Sequence, residues 1–97
     1  MPLSNPFAYI VSYDLKQPAD RYKPLFDELQ RSHLWMHYLT STWVVLRYET
    51  LAELGNKLIP LIFQNDRLLI QPAKGPSHGW LPKDAWEWLR KNVPQEW

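Results

Sequence analysis

Cysteine is absent from the chain, which excludes disulfide bridges, zinc–thiolate centres and cysteine nucleophiles. A reducing cytosol is the simplest compartment for such a chain. No long apolar run occurs, so no transmembrane helix and no membrane partner are expected. The opening residues, MPLSNPFAYIVSYD, lack a basic leading segment, and their apolar stretch soon meets Asp14; a secretory signal is not expected either. A charge excess is also missing, since eleven Lys and Arg stand against ten Asp and Glu, for a net charge of +1. The basic residues are scattered between Lys16 and Lys91, which is not the charge pattern of a dedicated nucleic-acid binder. Internal repeats and low-complexity tracts are absent.

Apolar and aromatic material is abundant instead. Hydrophobic residues make up 45% of the chain, and four of its six tryptophans (Trp80, Trp86, Trp88 and Trp97) fall in the last eighteen positions. A length of 97 residues suits one domain, so residues 1–97 read as a single unit. A domain of this size buries a modest share of its surface, and dimerisation is a common way to add core.

Phe7 to Tyr13 (FAYIVSY) is rich in aromatic and β-branched residues and predicts a strand. Phe7, Tyr9, Val11 and Tyr13 fall on one face and Ala8, Ile10 and Ser12 on the other. A strand largely apolar on both faces belongs in the middle of a sheet. From Asp20 to about Ser32, Tyr22, Leu25, Phe26 and Leu29 recur at helical spacing, and Pro24 places the helix start close to itself. LWMHYL (Leu34 to Leu39) and TWVVLRY (Thr42 to Tyr48) flank Thr40-Ser41 and predict a hairpin, without the Asn-Gly chemistry that would fix its register. Thr50-Leu51-Ala52-Glu53 is a capping box. The helix it opens carries Leu51, Leu54, Leu58, Leu61 and Ile62 in one stripe, and Pro60 kinks or shortens it. Asn65-Asp66 turns the chain into a short strand, Arg67 to Gln71. Pro82, a good first helical residue, opens a last helix through about Asn92, with Leu81, Ala85, Leu89 and Val93 as its stripe and Trp86 and Trp88 widening it.

Strand, helix, strand, strand, helix, strand is the ferredoxin-like pattern. The expected fold is therefore α+β, a βαββαβ sandwich on a four-stranded antiparallel sheet, with a core over about residues 7–72 and an extra C-terminal helix over about 82–92.

The first strand closing on an aspartate, YIVSYDL, followed by a hairpin and TLAELGNKLIPLIFQNDRLLIQ, resembles the CRISPR-associated Cas-two family over about residues 7–72. With STWVVLR in the hairpin and GWLPKDAWEWLRKN at the end, the layout is closer still to small bacterial proteins of no established activity described as SinR-like. The strand order by itself is shared by many functions, and the YDL motif is short. The resemblance implies a symmetric homodimer. For some members it also implies metal-dependent nuclease activity, in which the aspartate ending the first strand binds magnesium or manganese; Asp14 is the matching position. The segment after it, KQPADRYK, is less basic than the family's, and Ser41 is a loose counterpart of the family's hairpin serine.

One carboxylate makes a poor magnesium site, because the ion takes six oxygens, usually from one or two carboxylates together with water and phosphate. Two copies of Asp14 paired across a dimer axis would answer that need and bring a metal to a scissile phosphate. The alternative is an aspartate that accepts loop amides at a strand end. His33 and His37 stand four apart, but His37 falls in a strand and no third ligand accompanies them, so both are expected to be hydrogen-bonded structural residues. His78, in a Gly-Pro loop, reads as solvated, with a general acid or ligand contact as the alternative. Ser12, Ser41 and Thr42 have no base partner. Trp86 and Trp88 read as interface residues, anchoring the last helix to the sheet or to a second subunit; base stacking is the alternative. Arg47 and Arg67 read as solvated or ion-paired strand charges. The expected function is a non-catalytic dimeric interaction module in an antitoxin, immunity or adaptor role. The alternative is a divalent-metal-dependent endonuclease acting on RNA or DNA phosphodiesters.

Overall fold

The computed structural model describes residues 5–95; Trp97 lies outside them. Strands β1 (Phe7–Asp14), β2 (Leu34–Leu39), β3 (Thr42–Arg47) and β4 (Arg67–Pro72) form one antiparallel sheet in the order β2-β3-β1-β4. Helix α1 (Lys23–Gln30) connects β1 to β2, α2 (Leu51–Leu58) connects β3 to β4, and α3 (Lys83–Asn92) follows the last strand. This is the ferredoxin-like βαββαβ arrangement with an added C-terminal helix. Among the described residues, no helix is long and apolar enough to cross a membrane.

The two-faced character of β1 decides the layering. Opposite Ala8, Ile10 and Ser12 stand Leu46, Val44 and Thr42 of β3, so these residues share one face, and Tyr9, Val11, Trp43 and Val45 share the other. The second set is buried with Tyr22, with Leu25 and Leu29 of α1, and with Leu54 and Leu58 of α2. The first face packs Ala8, Met36, Val44 and Leu46 against Ala85, Leu89 and Val93 of the α3 region. A central strand apolar on both sides is what such three-layer packing requires.

Local chemistry sets the helix ends. A 3₁₀ turn, Ala19–Tyr22, precedes α1, and Pro24 sits in the first turn, where its missing N–H costs nothing. The regular helix is consequently shorter than the Asp20 to Ser32 window. Both arms of the capping box are formed: the Thr50 N–H donates to Glu53 Oε1 at 2.8 Å and the Glu53 N–H to Thr50 Oγ1 at 3.3 Å. Pro60 ends α2 as expected, and the chain continues as a 3₁₀ turn, Ile59–Leu61. Pro82 differs from expectation. It is the N-cap of α3, one residue before the helix, with ψ of 153°; its fixed φ suits either position, and its ψ belongs to the extended chain arriving from Leu81.

Two further features matter below. The pairing of β2 with β3 slips by one residue between Met36 and Leu39, which is how the hairpin accommodates its unspecialised turn. Beyond α3, the Gly75 N–H donates to the Pro94 carbonyl at 2.7 Å, and Gly75 and Gln95 form an isolated parallel bridge. The end of the helix is thereby tied back to the segment that follows β4.

Trp86 and Trp88 are both half-buried and pack on the α3 side of the sheet, flanking the fully buried Ala85. Removing the half-buried indole in Trp86→Ala is expected to cost about 2 kcal/mol, part of the penalty for a fully buried one. That lowers the melting temperature by roughly 8–16 °C. Thermal melting followed by circular dichroism checks this, and an unchanged midpoint would assign Trp86 to the surface.

Candidate functional site

Asp14 is the last residue of β1, opposite Arg67 of β4. Its side chain is 64% exposed, and Oδ2 lies 2.9 Å from Lys16 Nζ. It stands at the mouth of a cleft of about 260 Å³ whose other walls include Tyr13, Tyr22, Phe26, Thr40 and Ser41. Ser41 contributes its backbone carbonyl, which accepts from the Tyr13 N–H at 3.1 Å. Among the described residues, the side chain of Asp14 meets Lys16 and no loop amide; that expected role belongs to a different aspartate. A divalent ion at Asp14 would find one carboxylate, already paired with an ammonium. Among the described residues, no group of three or more His, Asp or Glu is placed to hold a metal. One chain supplies a single carboxylate at this position, so the rest of a magnesium or manganese shell would have to come from water, phosphate or a second copy of Asp14.

The amide-accepting aspartate is Asp66, in the turn before β4. Its buried carboxylate accepts from the Lys16 N–H at 2.7 Å and the Phe63 N–H at 2.8 Å, and the Tyr22 hydroxyl lies 2.8 Å from each of its oxygens. Burial works against its ionisation, but the two backbone amides and the Tyr22 hydroxyl outweigh it and hold its pKa below the usual carboxylate range. Asp66 thus clamps the loop after β1, the start of α1 and the turn before β4, and it orders the backbone behind Asp14.

A second polar centre surrounds Arg47, a strand residue only 5% exposed. Its guanidinium forms two bonds to Glu49, Nε to Oε1 at 2.9 Å and Nη2 to Oε2 at 2.6 Å. Nη2 also meets Glu28 Oε2 at 2.7 Å, while Nη1 donates to the Glu28 carbonyl at 2.8 Å and to Ser32 Oγ at 3.2 Å. Lys57 Nζ closes the network on Glu49 at 2.8 Å. The hydrogen bonds from Arg47 hold the Glu49 pKa down at about 2, against some opposition from burial. At Glu28, burial favours the neutral acid, and the bond and charge of Arg47 overcome it. Of the two readings for Arg47, the ion-paired one is correct and the solvated one is not. Every charge here has a partner, which marks the cluster as a joint between β3 and the two helices.

His33 and His37 are held by neighbours, and His78 lines the cavity beside α3. His37 stacks on Trp43 with ring centroids 4.0 Å apart, and its Nε2 lies 3.1 Å from the Thr40 carbonyl. His33 meets the Tyr48 ring edge-on at 5.6 Å. Ser12 Oγ is 3.3 Å from Thr42 Oγ1.

Apolar surface is the remaining feature. Helix α3 covers one end of its face of the sheet and leaves a cavity of about 280 Å³ over Ile10, Met36 and Val44, walled by Leu81, Trp86 and Leu89. Trp80, at its rim, is 98% exposed, and β2 exposes Leu34, Trp35, Tyr38 and Leu39. Sequence reasoning singled out Trp86 and Trp88 but not β2 or Trp80. The alternation of LWMHYL shows a strand, whereas its position at the sheet edge depends on topology. No family model matches the chain, and no curated protein or solved structure is significantly similar to it.

Proposed function

We propose that the chain is a non-catalytic interaction module, a cytosolic homodimer in an antitoxin, immunity or adaptor role toward a protein partner. The observation that carries this reading is the set of large apolar side chains left at the surface on β2 and at Trp80. Tryptophan and tyrosine are enriched at the energetic centres of interfaces, and monomers rarely expose contiguous apolar surface on a large scale. Light scattering at micromolar concentration is expected to give twice the mass of the chain; a strictly monomeric mass would overturn the dimeric part.

The exposure of Asp14 at the free end of β1 favours the endonuclease reading. On the module reading, RNA and DNA incubated with the protein and magnesium or manganese remain uncut, and Asp14→Asn behaves like the wild type. Metal-dependent cleavage that disappears in Asp14→Asn would replace the module reading with the nuclease one, since the amide keeps the shape and loses the charge a metal needs.

A further inference from the structure

Three parts of the chain build the cavity of about 280 Å³ beside α3. The sheet is its floor. Met36, Val44 and Ile10 stand in a row across β2, β3 and β1, and the slip after Met36 sets Leu39 opposite Thr42 on the same side. Helix α3 is one wall. The loop 74–80 is the third part, and it brings Ser77, His78 and Trp80 to the mouth. Two backbone bonds hold the base of that loop: the Ala73 N–H donates to the Ala8 carbonyl at 2.8 Å, and the Gly75 N–H to the Pro94 carbonyl at 2.7 Å.

The lining is apolar at depth and contains no carboxylate. Lys74, the one formal charge among the lining residues, is already engaged within the chain. The Thr42 hydroxyl is met by Ser12. Among the described residues, the Ser77 hydroxyl and the His78 imidazole have no hydrogen-bond partner. Trp80 is 98% exposed, so an aromatic surface on the order of 150–250 Å² stands at the mouth without a contact. Size narrows what could fill this space. An apolar cavity of about 150 Å³ holds one benzene ring, so about 280 Å³ suits a molecule of two fused rings. The sides favour an aromatic one: an indole on Trp80 and another on Trp86 offer ring faces and edges, and the Met36 thioether in the floor suits contact with a ring.

We propose that this cavity binds a small, neutral, two-ring aromatic molecule that carries one hydroxyl or carbonyl. The rings lie over Met36 and Val44, the indole of Trp80 closes on their outer side, and the polar group meets Ser77 or His78 at the mouth. An apolar cleft with a few convergent polar groups is the ordinary form of a small-molecule site. A neutral polar group needs only the hydrogen bonds that Ser77 and His78 leave open. An anionic one would need a cation, and the cation here is engaged. The site goes beyond the module reading and does not depend on a dimer.

Calorimetric titration of the full chain with 2-naphthol tests the site. One molecule per chain is expected to bind, with a dissociation constant of roughly 0.1 mM, within reach of a ligand of about eleven non-hydrogen atoms. Naphthalene, which lacks the hydroxyl, is expected to bind about fivefold more weakly, and the two ligands should become equal in Ser77→Ala/His78→Ala. Trp80→Ala is expected to weaken 2-naphthol roughly tenfold with an unchanged circular dichroism spectrum, since the indole touches so little of the chain. Tyr48→Ala removes an exposed ring that lies outside the cavity and is expected to leave binding unchanged. In protein labelled at the methionine methyls, the Met36 resonance should shift with the ring current of the ligand, a response that stacking at the rim alone would not give. No binding at millimolar 2-naphthol, binding with the Met36 methyl unmoved, or binding indifferent to Trp80→Ala overturns the site. Equal weakening by Tyr48→Ala does the same. Tighter binding of 2-naphthoate than of 2-naphthol overturns the neutral class of ligand.

Discussion

Cutting the chain after Gly79 is expected to abolish its cooperative thermal transition. The loss follows from the two-faced sheet. Ala8, Met36, Val44 and Leu46 are buried by Ala85, Leu89 and Val93, with Leu81, Trp86 and Trp88 packed around them. Each large side chain of this set contributes roughly 1.5–3 kcal/mol when fully buried. Removing the helix side of the contact forfeits an amount comparable with the whole stability of a small domain, about 5–15 kcal/mol. The tie between Gly75 and Gln95 goes with it. The shortened chain should bind a hydrophobic dye, scatter light on concentration and melt without a sharp midpoint. A soluble product melting at the wild-type temperature would show α3 to be an appendage.

The next largest effect is expected from Arg47→Ala. Its removal leaves Glu28 and Glu49, both largely buried, without their shared cation. Breaking a buried pair from one side costs about 3–5 kcal/mol, on the order of 15 °C or more in melting temperature for a domain of this length. Replacing the three polar residues together, as Arg47→Met with Glu28→Gln and Glu49→Gln, is expected to recover part of that loss, because no uncompensated charge remains. The same network gives a pH signature. Glu49 titrates at about 2 in the folded chain against an ordinary value of 4.5, and Glu28 is shifted in the same direction. Groups with depressed pKa values contribute stability that is fully present above the unfolded value and lost as pH falls through the folded one. Wild-type melting should be flat above about pH 5 and decline between roughly pH 4.5 and 2. With solvent screening, Glu49 accounts for about 1–2 kcal/mol of the decline. In Arg47→Ala that portion of the slope should shrink, with Lys57 still bonded to Glu49; a decline of equal size would remove Arg47 as its cause.

What the sequence disclosed and what it hid divide along the range of the interactions. The strand FAYIVSY, the Thr50 capping box and the break at Pro60 were legible because each depends on neighbours within a few residues. The central place of β1 followed from apolar residues on both of its faces. The role of Asp66 was hidden, since its partner Tyr22 lies 44 positions away; in the sequence it was only the second half of an Asn-Asp turn. Arg47 and Glu28 are 19 positions apart, and nothing local marked the arginine for burial. For Asp14, the strand-end position was read correctly. The lysine that occupies its carboxylate was two residues further on and in plain view, but whether Lys16 turns back or points to solvent is settled by the loop that Asp66 holds. The open edge of β2 came from the strand order, which follows only when all four strands are laid side by side.

The sheet order also bears on how the chain is made. One of the two inner strands, β1, is the first of the four to be synthesised, and its partners on either side are β3 and β4. Translation at about 5–20 residues per second separates the completion of β1 from that of β4 by several seconds. Throughout that interval, a segment apolar on both faces and able to pair on both edges has no permanent neighbour on one side. The hairpin of β2 and β3 can dock first and give it one partner, but α3, which packs on the second face, leaves the ribosome after all four strands. The nascent chain therefore passes through a stage in which its most adhesive strand is the least protected, and holding chaperones would find their target in residues 7–14.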